Sequence, residues 1–249
     1  MSEKGKMTVY LDEEKSEFLV LQRGIEATKA IVQTNLGGEP IRVTDLDRAI
    51  NPAGKSTKWE IPGLGDEMEQ VGEITGVVIC QQPYRIYWKG EYKGGGSPPD
   101  CVSLDTIHGQ GVPGGECGKC PFNEWGSGKT PNSKACSFRR RVFVLRPTEM
   151  LPMQLTLSPI NAGALKTYGL RLMNKRQLQL QHVITRVSLT TATSKNGFDY
   201  AKTTFALVDV LAPDVAAQMD AYRHFLEPQL LGLAILDEPA QQPEEDVPF

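Results

Sequence analysis

The alternation of apolar and polar positions is strongest in the middle of the chain, and it predicts strands there. "EITGVVIC" (73–80) and "YRIYWKG" (84–90) are rich in β-branched and aromatic residues and read as two strands joined through Gln81 to Pro83. "KGGGSPPD" (93–100) is a loop by composition. Two more strands are predicted at "RRRVFVLR" (139–146) and "MQLTLS" (153–158), set apart by Pro147 and Pro152. Ser158 followed by Pro159 is a helix-start signal leading into "INAGALKTYGLRLMNKR". "LQHVITRVSLTTATS" and "FDYAKTTFALVDVL" then read as a long hairpin around Lys195, Asn196 and Gly197.

A second helix is expected from Pro213, with Val215, Met219, Tyr222, Leu226, Leu230 and Leu233 on one face and Pro228 kinking or shortening it. Before residue 70 the pattern is mixed. "EFLVLQRGIEATKAIV" fits a helix or a strand, and 51–65 is punctuated by Gly and Pro. About six strands with a helix between the fourth and fifth predict a mainly β fold with some α, compatible with a Greek-key barrel such as the OB-fold. On this reading residues 1–233 form one domain with a C-terminal helix, and 101–136 is an inserted loop outside the barrel.

Composition is that of an ordinary globular chain, 40% hydrophobic and 23% charged over 249 residues. No apolar run approaches a membrane span, and "MSEKGKMTVY" lacks the apolar block of a signal peptide, so the expected compartment is the cytoplasm. Five cysteines in that reducing setting point to metal ligands rather than disulfides.

The net charge of -3 conceals an asymmetry. Residues 234–249 carry Asp237, Glu238, Glu244, Glu245 and Asp246 and no base, which leaves 27 basic against 25 acidic side chains elsewhere. Between Lys119 and Arg146 seven basic residues face only Glu124. A local positive surface and an acidic tail are therefore expected together. Low apolar content and three prolines in the last eleven residues predict that 234–249 is an unstructured interaction tail.

Cys101, Cys117, Cys120 and Cys136 are the strongest chemical signal. A C-x-x-C knuckle is flanked on each side by fifteen residues and a further cysteine, so four thiolates are available to close a tetrahedral shell around zinc. A shell of four sulfurs has no open position for water, which makes the expected Zn2+ structural. His108 is an alternative to Cys101 as fourth ligand, and Cys101 is alternatively a buried apolar residue. Cys80, closing an apolar strand, is expected in the core.

Within the same region "GSGKT" imitates a phosphate-binding loop. The position owed to the first glycine of G-x-x-x-x-G-K-[ST] is Asn123, and Pro131 follows where a helix should start, so the motif fails. "AINPAGKST" fails likewise, with Ala49 in place of that glycine. His108, His182 and His224 are scattered, and Asp45 with Asp47 is a common turn-capping pair, so no catalytic constellation emerges and a non-enzyme is expected.

Basic and aromatic residues interleave instead, as single-stranded nucleic acid requires, because stacking on a base face tolerates any sequence while phosphates attract guanidinium and ammonium groups. The candidate phosphate contacts are Lys119, Lys129, Arg139, Arg140 and Arg141, with Arg139 and Arg141 on one strand face. Tyr84, Trp88 and Trp125 are the candidate stackers, with Phe122 a further one.

The ending "EEDVPF", that is Glu244, Glu245, Asp246, Val247, Pro248 and Phe249, resembles the acidic tip of bacterial single-stranded-DNA-binding proteins. The middle, "PPDCVSLD", "CGKCPFNEWGS" and "KACSFRRRVFVL", looks like the zinc-containing ssDNA-binding proteins of phages and mobile elements, over roughly residues 74–175. The resemblance implies an OB-like core with a zinc insertion. It further implies coating of ssDNA in replication or recombination within a bacterial host cell, and recruitment of host or phage replication and repair proteins through the tail. The chain is longer than a bacterial protein of that family and lacks its glycine/glutamine-rich linker, so a tetramer is not implied. The rival expectation is a zinc-stabilised transcription or protein-interaction adaptor that docks through residues 101–141.

Overall fold

The computed structural model describes residues 18–51, 56–90, 98–193, 197 and 199–231. The predicted tail, Leu233, the second phosphate-loop lookalike at Gly54 and Lys55, and the hairpin tip at Lys195 and Asn196 lie outside the described residues.

The helices are α1 (Leu19–Arg23), α2 (Ile25–Asn35), α3 (Pro159–Arg176) and α4 (Pro213–Leu231). The strands are β1 (Arg48–Ala49), β2 (Trp59–Pro62), β3 (Met68–Val71), β4 (Glu73–Tyr87), β5 (Cys101–Ser103), β6 (His108–Gly111), β7 (Gly115–Glu116), β8 (Ser137–Leu145), β9 (Met153–Leu157), β10 (Val183–Thr193) and β11 (Asp199–Val210). The protein is thus mainly β with some α, a large mixed sheet with four helices among the described residues. No helix among them is long and apolar enough to cross a membrane.

Where the sequence predicts two strands, β4 runs unbroken through Gln81–Pro83. Its register explains how. One edge of β4 is held by antiparallel β8 from Val77↔Leu145 to Ile86↔Ser137. The other edge pairs with β10 only as far as Val77 and with β5 only from Arg85 onward. Pro83, which has no N–H to donate, falls in the unpaired gap between those two ladders, where the missing donor costs no hydrogen bond.

From β4 the sheet extends through β8 and β9 to a short parallel pairing with β1, and in the other direction through β10 to β11. No ladder joins β9 to β11 among the described residues. Helix α3, lying between those strands in sequence, occupies the edge instead. The Asn161 Oδ1 accepts from the Thr203 N–H of β11 at 2.9 Å, while its Nδ2 donates to the Ala201 carbonyl at 3.3 Å. A buried asparagine thus stands in for a neighbouring strand. Each buried backbone group left without a partner costs about 1–3 kcal/mol. Asn161→Ala should therefore lower stability by roughly 2–4 kcal/mol in urea unfolding while leaving far-UV circular dichroism unchanged; an unaltered midpoint would show that β11 does not need this clamp.

Both faces of the sheet are covered. On one, Val77, Ile79, Phe143 and Leu145 pack against α1, α2 and α4. The predicted α4 face is seated there, with Met219, Tyr222, Leu226 and Leu230 fully buried and Val215 partly buried. Pro228 lies inside that helix, which continues through it to Leu231, so the expected shortening at Pro228 does not occur within the described residues. On the other face Ile74, Val78, Val142, Leu155 and Val187 pack with Leu165 of α3 and with Trp59 and Ile61 of the β2–β3 hairpin. Ser158 sits at the N-cap of α3 as expected, but its side chain makes no capping hydrogen bond; Pro159 at the first turn sets the start. Asp45 caps a turn by accepting from the Arg42 N–H at 2.7 Å.

Candidate metal centre and basic aromatic surface

The insertion between β4 and β8 is more ordered than its Gly/Pro-rich composition suggests. Its first half forms β5, β6 and β7, which continue the sheet outward from the end of β4. Cys101 opens β5, in register with Tyr87 on one side and Gly111 on the other. Cys117 begins a one-turn helix, Cys120 follows it, and Cys136 immediately precedes β8. Cys136 N–H donates to the Phe122 carbonyl at 2.8 Å, and the Phe122 ring stacks on Tyr87 at a centroid distance of 4.3 Å. That stacking fastens the loop to β4 and takes up one face of the Phe122 ring.

All four cysteines line one small cavity of about 10 Å³, together with Arg85, Asn123 and Gly109. Gly109 is required by close approach, since a Cβ there would stand 2.9 Å from the Cys101 Sγ. None of the four is in a disulfide. Burial pushes the Cys136 thiol up to about 11; the Arg85 charge opposes this, and the three other sulfurs add to it. Four thiolates facing one another repel, so a cation is what would draw them together. Among the described residues no set of three or more His, Cys, Asp or Glu side chains has the spacing of a metal shell. The donor set suits zinc, which four thiolates hold without an open position. His108, the alternative ligand, does not line this cavity: its Nδ1 is bonded to the Asp105 Oδ2 at 2.8 Å on the exposed β5–β6 turn. Cys80 is buried in the core as expected, with its thiol raised to about 12 by desolvation.

No helix follows "GSGKT", which lies in turns and bends. Gly128 is instead held by the Ser133 carbonyl, to which its N–H donates at 3.2 Å.

The predicted DNA contacts divide by exposure. Tyr84 and Arg141 are fully buried on one face of β4 and β8, the guanidinium 5.0 Å from the ring centroid. A stacker needs an open ring face, so both leave the set of surface contacts; the apolar residues that follow the arginine run on β8 pull Arg141 inward with the strand. Trp88 is half-buried against Tyr84 and Ile86. Arg139 stands in register opposite Tyr84, half-buried. Arg140 turns to the opposite sheet face and donates to the Gln81 Oε1 at 2.5 Å, with burial drawing its pKa below the usual arginine value.

The residues of the cysteine loop remain outside. Trp125 is 60% exposed, and the Lys134 ammonium lies 5.0 Å from its ring centroid. Lys129 is exposed, and exposed Lys119 pairs with Glu116 at 2.7 Å, a surface bridge of little energetic weight.

Two residues that sequence reasoning missed join this site. Arg85 donates to the Asn123 Oδ1 at 2.7 Å and borders the cysteine cavity, while Lys134 reaches the same oxygen at 3.2 Å. Asn123 in turn donates to the Cys117 carbonyl at 2.8 Å. Lys134 is two residues before a cysteine, a signal available in the sequence; Arg85 becomes visible only when β4 is paired with its neighbours.

No protein-family model, curated protein or solved structure matches the chain.

Proposed function

We propose that this protein binds single-stranded DNA without catalysing a reaction, coating it during replication or recombination of a phage or mobile element. In this reading the sheet β4–β8–β9, helix α3 and hairpin β10–β11 form an OB-like core, with the loop 101–136 held by a structural zinc on Cys101, Cys117, Cys120 and Cys136. Residues 244–249 recruit partner proteins. The observation that carries the reading is Trp125, an exposed indole beside the Lys134 ammonium on a loop whose four cysteines share one cavity. An exposed aromatic ring next to positive charge is what a sequence-tolerant single strand requires, and a duplex hides the base faces that would stack there.

Stacking on one aromatic is worth about 1–3 kcal/mol per base. Trp125→Ala should therefore weaken binding to fluorescent oligo-dT by about tenfold or more, with an equal-length duplex bound far more weakly by the unaltered protein. Lys129→Ala should reduce the salt dependence of the same titration. Equal binding of both DNA forms, or an unchanged affinity for Trp125→Ala, would defeat the proposal.

A second reading has its own observation. Ile107 and Val112 are 58% and 71% exposed on the same insertion as Trp125, an apolar set suited to a protein partner. Zinc binding without affinity for either DNA form would favour that adaptor role.

A further inference from the structure

Helix α3 buries one face and exposes the other. Asn161, Ala162, Leu165 and Leu172 face inward. Outward, Leu170 and Met173 are 50% and 58% exposed, large apolar side chains in water at successive turns. Around them stand exposed Lys166, Arg171, Lys175 and Arg176, and the helix contains no acidic residue. None of these four cations has an acidic partner among the described residues. A helix face that mixes apolar contacts with four uncompensated positive charges fits an acidic peptide with a few apolar side chains.

The chain itself contains such a peptide. Residues 237–249 carry five acids and no base, and they include Val247 and Phe249. Reach is ample. The His182 Nε2 bonds the Asp220 Oδ2 at 2.9 Å, which ties the segment leaving α3 to the middle of α4. Asp220 lies eleven residues before the end of α4 at Leu231, roughly 16 Å along the helix. Thirteen further residues to Glu244 span up to about 45 Å when extended.

We propose that the outer face of α3 is the docking site of the chain's own 237–249 segment. The acids of the segment lie against Lys166, Arg171, Lys175 and Arg176, and Val247 and Phe249 cover Leu170 and Met173. The contact is intramolecular, because a short tether gives the segment an effective concentration in the millimolar range at this surface. It holds whether or not the protein binds DNA, and it makes the segment available to partners only when they displace it from α3.

The test is limited proteolysis of the full chain by a glutamyl endopeptidase, following release of residues 246–249 by mass, with the free 237–249 peptide as the reference substrate. The expected result is cleavage about fivefold slower than in the free peptide at low salt, a docked fraction of about four-fifths. Protection should be independent of protein concentration and lost at about 0.5 M salt, where screening shortens to a few ångströms. Both the double charge reversal Arg171→Glu/Lys175→Glu and the separate Met173→Asp should abolish it, and these exposed positions leave the fold intact. Cleavage at the free-peptide rate in the unaltered chain would overturn the proposal, as would protection that survives both variants. Protection that rises with protein concentration would assign the face to a second copy. Unprotected cleavage, with oligo-dT binding weakened by the double variant, would assign it to nucleic acid.

Discussion

Replacing Gly76 by valine is expected to prevent folding, the largest effect of any single change considered. Gly76 lies in β4 opposite Thr185 of β10, one residue before the β8 ladder begins at Val77↔Leu145. A Cβ there would stand 2.2 Å from the Leu145 carbonyl oxygen and 3.0 Å from a Val144 methyl. The first of these is backbone, so no side-chain rotation relieves it. Overpacking in a core usually costs about 1–3 kcal/mol, and a backbone clash at the junction of three central strands exceeds that range. Even Gly76→Ala should lower stability by about 4 kcal/mol or more, measured by urea unfolding. Gly72→Ala is the control, since nothing lies within 4 Å of a Cβ at Gly72. Equal midpoints for the two alanine variants would show that β4 and β8 separate at no cost.

The second large effect concerns the cysteine loop. Cys117→Ser or Cys120→Ser should abolish the binding of about one zinc per chain. Amide protection should then be lost across residues 101–136 but kept in β4, β8 and β9. That segregation follows from the packing: the loop's own contacts are the Tyr87–Phe122 stack, a short-strand extension and the Asn123 hydrogen bonds, whereas the sheet has cores on both faces. Retained zinc in both variants would remove these cysteines from the shell.

Chelation of the unaltered protein adds a pH signature. A thiol whose pKa is raised on folding favours the folded state while protonated. For Cys136, raised from 9.0 to about 11, that stability is fully present below pH 9 and disappears as pH rises to about 11. With zinc bound as proposed, the same sulfur would already be a thiolate held by the cation, and its window would vanish. Cys80 contributes in both forms between 9.0 and about 12, through burial. The difference between chelated and loaded protein should therefore widen between pH 9 and 11 in urea titrations. A gap independent of pH would mean that Cys136 is not a ligand.

The arginine run shows how far a strand pattern reaches. Alternation places Arg139 and Arg141 on one face and Arg140 on the other, and β8 has that arrangement. Alternation does not say which face is covered. Arg141 is buried beside Tyr84, while Arg140 reaches Gln81 of the neighbouring strand. In the same way "YRIYWKG" identifies aromatic residues on a strand, yet their availability depends on the elements packed over them.

By itself the sequence determined the mainly β character, the start of α3 at Pro159, the buried stripe of α4, the long β10–β11 hairpin and the cysteine spacing, because each depends on residues close together in the chain. Local periodicity and turn chemistry act over a few residues, and they survive translation into three dimensions. Only the tertiary structure decided that Pro83 is tolerated inside β4, that Asn161 takes the edge of β11 in place of a strand, that the insertion adds β5 to β7 to the sheet, and that Arg85 borders the four cysteines. Each of these is a contact between residues far apart in sequence, and strand order, unpaired edges and burial exist only once the chain has brought them together.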